Sequence, residues 1–102
     1  MEALPADVTT PEGRTVTLTR DDWLHVKFRH PEVGTDPLVL LGVVSSPDEV
    51  HQDSRGGYHA LKRIDQKHSL EVIYEFAGGG RGLIRTAFII NENRKKRRYK
   101  TP

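Results

Sequence analysis

Apolar and polar positions along this chain change their spacing twice. Residues 1–13 hold two prolines, a glycine and few apolar side chains, which marks a loose arm. Over 14–20, Val16 and Leu18 alternate with threonines, the pattern of a short strand rich in β-branched residues. From about 22 to 29 the spacing lengthens. Trp23, Val26, Leu24 and Phe28 fill the apolar arc of a helix capped by Asp21, with His25 and Arg29 four apart on the opposite side. Pro31 disfavours helical backbone at His30 and stops the helix. A second helix is expected over about 37–44, where Pro37 suits the first turn and the run Leu38, Val39, Leu40, Leu41 is apolar enough to be buried. Ser46, Pro47 and Asp48 then make a turn.

Alternation returns in the second half. Residues 58–64 follow a Gly56-Gly57 turn, and 70–76 set Leu70, Val72, Tyr74 and Phe76 against Glu71 and Glu75. Residues 83–90 are apolar almost throughout, as a central strand is. Residues 65–68 and 77–82 suit hairpin loops. A strand, two helices and three successive strands predict an α+β fold with the helices on one face of the sheet. The expected organisation is an arm (1–13), a single domain (14–93) and a basic terminal segment (94–102).

Composition narrows the class. A chain of 102 residues builds one modest core, and 35% hydrophobic against 29% charged residues is polar yet foldable. With no cysteine, disulfides and thiolate metal sites are excluded. No apolar run reaches the length of a membrane helix or a signal-peptide core, so the expectation is a cytoplasmic protein with no membrane partner.

Charge changes the picture more. The formal net charge is +2, but residues 81–102 carry eight bases against one acid, a balance of +7. Residues 1–80 carry eight bases against 13 acids, a balance of −5. Such polarity suits a polyanion, RNA above all.

The candidate chemistry follows from that partner. Cleaving RNA without a metal takes one group to remove the 2′-hydroxyl proton, a cation against the charge building on phosphate, and one group to protonate the leaving oxygen. His25, His30, Arg29, Lys62, Arg63 and Arg85 supply these types. The five histidines show no i, i+4 ligand pair, so no metal or other cofactor is expected. The glycine-rich loop over 77–82 lacks the Lys-Ser/Thr of a P-loop and does not lead into a helix, which argues for a flexible hairpin over a nucleotide site. Tyr99, flanked by Arg97, Arg98 and Lys100, suits base stacking or proton transfer.

The block Trp23-Leu24-His25-Val26-Lys27-Phe28-Arg29-His30-Pro31-Glu32, the turn Ser46-Pro47-Asp48-Glu49-Val50 and the strand Ile84-Arg85-Thr86-Ala87-Phe88 occur in that order, with a basic segment after them. Together they resemble a prophage-associated nuclease family of the barnase–EndoU–colicin–RelE-like (BECR) group of RNA-cleaving toxin domains. The resemblance implies two N-terminal helices packed on a twisted antiparallel sheet of about four strands. It also implies a metal-independent endoribonuclease that cleaves through a 2′,3′-cyclic phosphate, restrained by an acidic antitoxin or immunity protein. By that likeness His25, His30 and Thr86 are the catalytic candidates and Arg29 binds phosphate. Lys62, Arg85, Lys95, Arg97, Arg98 and Tyr99 complete the expected substrate-binding set. A second reading stays open, a non-catalytic RNA- or protein-binding module on the same fold.

Overall fold

The computed structural model describes residues 4–78 and 80–99; the parts of the arm, glycine loop and tail at 1–3, 79 and 100–102 lie outside the described residues. A hairpin of β1 (Ala6–Thr9) and β2 (Thr15–Leu18) opens the chain. It is followed by α1 (Arg20–Arg29), a 3₁₀ turn (Pro31–Val33) and α2 (Leu38–Ser45). Then come β3 (Glu49–Gln52), β4 (Tyr58–Arg63), β5 (His68–Phe76), β6 (Gly82–Asn91) and α3 (Glu92–Arg98). The strands form one sheet in the order β1-β2-β6-β5-β4-β3.

The class is α+β, but the expected two helices on a four-stranded antiparallel sheet are corrected to three helices and a six-stranded mixed sheet among the described residues. β6 runs parallel to β2, pairing Gly82 with Val16 and Leu83 with Thr17, while every other neighbouring pair is antiparallel. The two helices carry the chain away from β2 before β3 to β6 form a meander, and the last strand returns beside β2 in the same sense. The extra strands are short and half polar. Ala6–Thr9 turns part of the expected arm into a strand, and Glu49–Gln52 follows the Ser46-Pro47-Asp48 turn.

Helix α1 starts before Asp21, because the Thr19 hydroxyl accepts from the Asp22 amide at 3.1 Å and serves as N-cap. Asp21 and Asp22 then sit in the first turn, where carboxylates oppose the positive helix end. Only Trp23 and Val26 of α1 are buried. Leu24 and Phe28, expected inward, are 46% and 85% exposed, so the buried arc is narrower than their spacing implied.

Both helices cover one face of the sheet. Trp23 and Val26 of α1 and Leu40, Leu41, Val43 and Val44 of α2 pack with Val16, Leu18, Val72, Tyr74, Ile84 and Ala87. Each buried valine, leucine or isoleucine among them contributes about 1.5–3 kcal/mol by leaving water. The opposite face is built from two rows of paired residues. Glu49, Leu61, Glu71 and Phe88 stand in register across β3, β4, β5 and β6; His51, His59, Ile73 and Thr86 form the next row. Leu61 and Ile90 are buried there, outside the main core.

Helix α3 folds back over this second face. Asn91 caps it, accepting from the Arg94 amide at 2.8 Å. Lys95 reaches Glu49, Tyr99 reaches Glu71, and the Arg98 guanidinium lies 5.5 Å from the centre of the Phe88 ring. The basic segment is therefore a docked helix over its described part.

Candidate functional site

Two hollows flank α3 on the second face, and both touch Arg98. The first, about 310 Å³, is lined by His30, Glu32, Thr86, Phe88, Ile89, Arg94 and Arg98. His30 is the C-cap of α1, where its amide donates to the Val26 carbonyl at 2.7 Å and the following proline turns the chain toward β6. Its ring lies 5.6 Å from that of Phe88, tilted by 48°. Its Nδ1 is 3.5 Å from a Glu32 carboxylate oxygen, an ion-pair separation too long for a direct hydrogen bond. Arg94 and Arg98 stand four apart on α3, so they share a side of it. An imidazole, a carboxylate, a hydroxyl and two guanidinium groups thus border one opening.

Of the expected catalytic set, His30 and Thr86 meet in this cleft and His25 does not. His25 is exposed on α1, and neither it nor Arg29 is among the cleft residues. A helix turns about 100° per residue, so His25 and the terminal His30 cannot share a direction. Lys62 lies elsewhere, donating to the Ser46 carbonyl at 2.8 Å beside a hollow of about 510 Å³ against α2. Arg63 donates to Glu92 at 3.1 Å. Arg85 is held by Glu75 at 3.1 Å and Asp22 at 3.6 Å. Arg97 is exposed.

Lys95 is engaged inside the fold, 2.6 Å from Glu49 and 3.2 Å from Glu92. The hydrogen bond to Glu49 raises the Lys95 pKa and lowers that of the carboxylate. Arg98 is the expected binding residue that the cleft does contain, and Glu32 and Arg94 are additions. Glu32 was visible beside the histidine in the Arg29-His30-Pro31-Glu32 block; Arg94 needed α3 to be recognised as a helix.

The second hollow, about 410 Å³, is lined by His51, Gln52, Asp53, Ser54, Arg55, His59, Arg98 and Tyr99. Here Tyr99 is turned inward. Its hydroxyl donates to Glu71 Oε2 at 2.5 Å and lies 2.8 Å from His59 Nδ1, while its ring stacks on His51 at 4.3 Å. Burial, and then the Glu71 carboxylate beside it, push the Tyr99 hydroxyl well above the usual phenol range, so it remains a donor.

Glu71 is fully buried. His59 brings Nδ1 to 2.9 Å from Glu71 and Nε2 to 2.8 Å from Asp53 Oδ2. Each ring nitrogen thus faces a carboxylate of its own. Asp53 is fixed by the turn before β4, where Gly56 adopts φ +86° and the Arg55 and Gly57 amides both donate to Oδ1 at 2.8 Å. The hydrogen bond from His59, and then those two amides, bring the Asp53 pKa down to about 2.

Neither this network nor a metal site was expected from sequence. Among the described residues no group of three or more histidine, cysteine or carboxylate side chains is arranged to hold a metal ion, and no helix is long and apolar enough to cross a membrane. Comparison with protein-family models, curated proteins and solved structures finds no match to this chain.

Proposed function

We propose that the His30–Thr86 cleft binds the phosphodiester backbone of RNA and cleaves it without a metal ion. The observation that supports this reading is the convergence of His30, Glu32, Thr86, Arg94 and Arg98 on one opening. Arg94 and Arg98 offer planar donors matched to phosphate oxygens, and the Thr86 hydroxyl adds a third donor. His30 takes the proton of the 2′-hydroxyl. The Glu32 carboxylate facing Nδ1 favours the imidazolium that forms. The 2′-oxygen bonds to phosphorus, the bond to the 5′-oxygen breaks, and that oxygen leaves with a proton from solvent. A 2′,3′-cyclic phosphate and a 5′-hydroxyl result.

The experiment is incubation of pure protein with single-stranded RNA in EDTA, beside His30→Ala. Cleavage by the wild type and its loss in the variant is the expected result. Intact RNA over a wide range of protein concentration defeats the catalytic reading. If RNA is then bound in a salt-dependent manner, a phosphate-docking module remains.

A further inference from the structure

We infer that Tyr99 and Glu71 are positioning residues that lock α3 onto the sheet and so hold Arg94 and Arg98 over the cleft; this rests on the cleft reading above. Helix α3 has seven residues and buries none of them. Its sequence, Glu-Asn-Arg-Lys-Lys-Arg-Arg, places like charges three and four apart, which repel. A helix this short does not hold itself together in water. Its place on the protein must come from contacts to the sheet.

Those contacts divide by side. Arg94 and Arg98 line the cleft, while Lys95 and Tyr99, each one residue further on, face Glu49 and Glu71 of the sheet. Tyr99 differs from the rest because its partner is buried. Glu71 Oε2 receives the Tyr99 hydroxyl and faces His59, while Glu71 Oε1 is buried with no partner among the described residues. A buried carboxylate with one oxygen already unserved loses heavily if another donor is withdrawn. That penalty is what keeps the end of α3 down. His59, braced by Asp53, holds Glu71 in place from beneath. The hydroxyl of Tyr99 thus acts on phosphate through the two arginines, without touching it.

The test compares wild type, Tyr99→Phe and Glu71→Gln in the full chain. Hydrogen exchange is read at amides 96–99 and in β5, and binding of a fluorescent single-stranded RNA is measured over a salt series. Tyr99→Phe should speed exchange at 96–99 while β5 stays protected. It should weaken RNA binding roughly tenfold and lower the salt slope by about two, the share of two phosphate contacts. Glu71→Gln should act in the same direction. In a background already lacking both guanidinium groups (Arg94→Ala with Arg98→Ala), Tyr99→Phe should change RNA binding no further.

Unchanged exchange at 96–99 overturns the lock. So does an equal loss of binding in the background without the two arginines, or a loss of protection in β5 to the same degree. If wild-type protein binds no RNA, the cleft reading fails; faster exchange at 96–99 then upholds the lock, and unchanged exchange removes it as well.

Discussion

Lys95 Nζ lies 2.6 Å from a Glu49 carboxylate oxygen, tying the last helix to the edge strand β3 across 46 residues of sequence. The contact is half buried, and Glu92 shares the lysine at 3.2 Å. Lys95 therefore spends its charge within the fold. Lys95→Ala should lower stability by about 1 kcal/mol, seen as a shift in the urea midpoint. Its effect on RNA affinity should be smaller than that of Arg98→Ala.

The two histidines that flank the end of α1 should separate cleanly. His30→Ala is expected to reduce cleavage by about 10²–10⁴-fold, the range for loss of a general base. His25→Ala should leave the rate within about twofold, because an exposed side chain away from the cleft carries little. Initial rates on one RNA substrate decide the matter, and equal losses in both variants would overturn the assignment of the chemistry to His30.

Low pH should act through Asp53. Its folded pKa of about 2 lies below the ordinary 3.8, so its stabilising contribution is complete above the ordinary value and is lost as pH falls toward 2. The thermal midpoint should fall between pH 4 and pH 2 more steeply in the wild type than in Asp53→Asn. Parallel profiles would show that the His59 contact does not govern the acid response.

Two glycines should respond oppositely to alanine. A Cβ at Gly57 would stand 2.6 Å from Asp53 Oδ2, so Gly57→Ala must displace the carboxylate that braces His59. A loss of about 1–3 kcal/mol is expected. Gly42 lies inside α2 with nothing within 4 Å of the added carbon, and Gly42→Ala should gain about 0.5–1 kcal/mol. Denaturant titration of both variants provides the comparison.

The elements legible in sequence were those whose side chains sort by environment. The alternation through Leu70, Val72 and Tyr74 marked real burial, whereas of the run Leu38 to Leu41 only Leu40 and Leu41 are buried and Leu38 and Val39 are 64% and 46% exposed; the strand and the helix themselves appear within one or two residues of the expected bounds. Helix α3 left no such mark, since it buries none of its residues and its polar surround hides the helical period; only Asn91 before it hinted at a start.

Missing α3 also changed the meaning of Glu71. Alternation assigned it to a wet face, and the helix that dries that face came from a segment read as a tail. The cleft was half visible for a related reason. His30 and Thr86 stood out by chemistry, while the true direction of His25 depends on how α1 is rotated, which Leu24 and Phe28 misreport. The parallel partnership of β2 and β6 has no local signature at all, since 66 residues separate Val16 from Gly82.

That partnership has a consequence for synthesis. As the ribosome extends the chain, the opening hairpin has no further strand to pair with until residue 82 has emerged, because its one partner in the sheet is the final strand. The two halves are stitched late, by a long-range closure that entropy opposes until the end. A nascent chain halted just short of that strand would leave the backbone edge of β2 at Val16 and Thr17 unpaired, and would present itself to chaperones and proteases as unfinished.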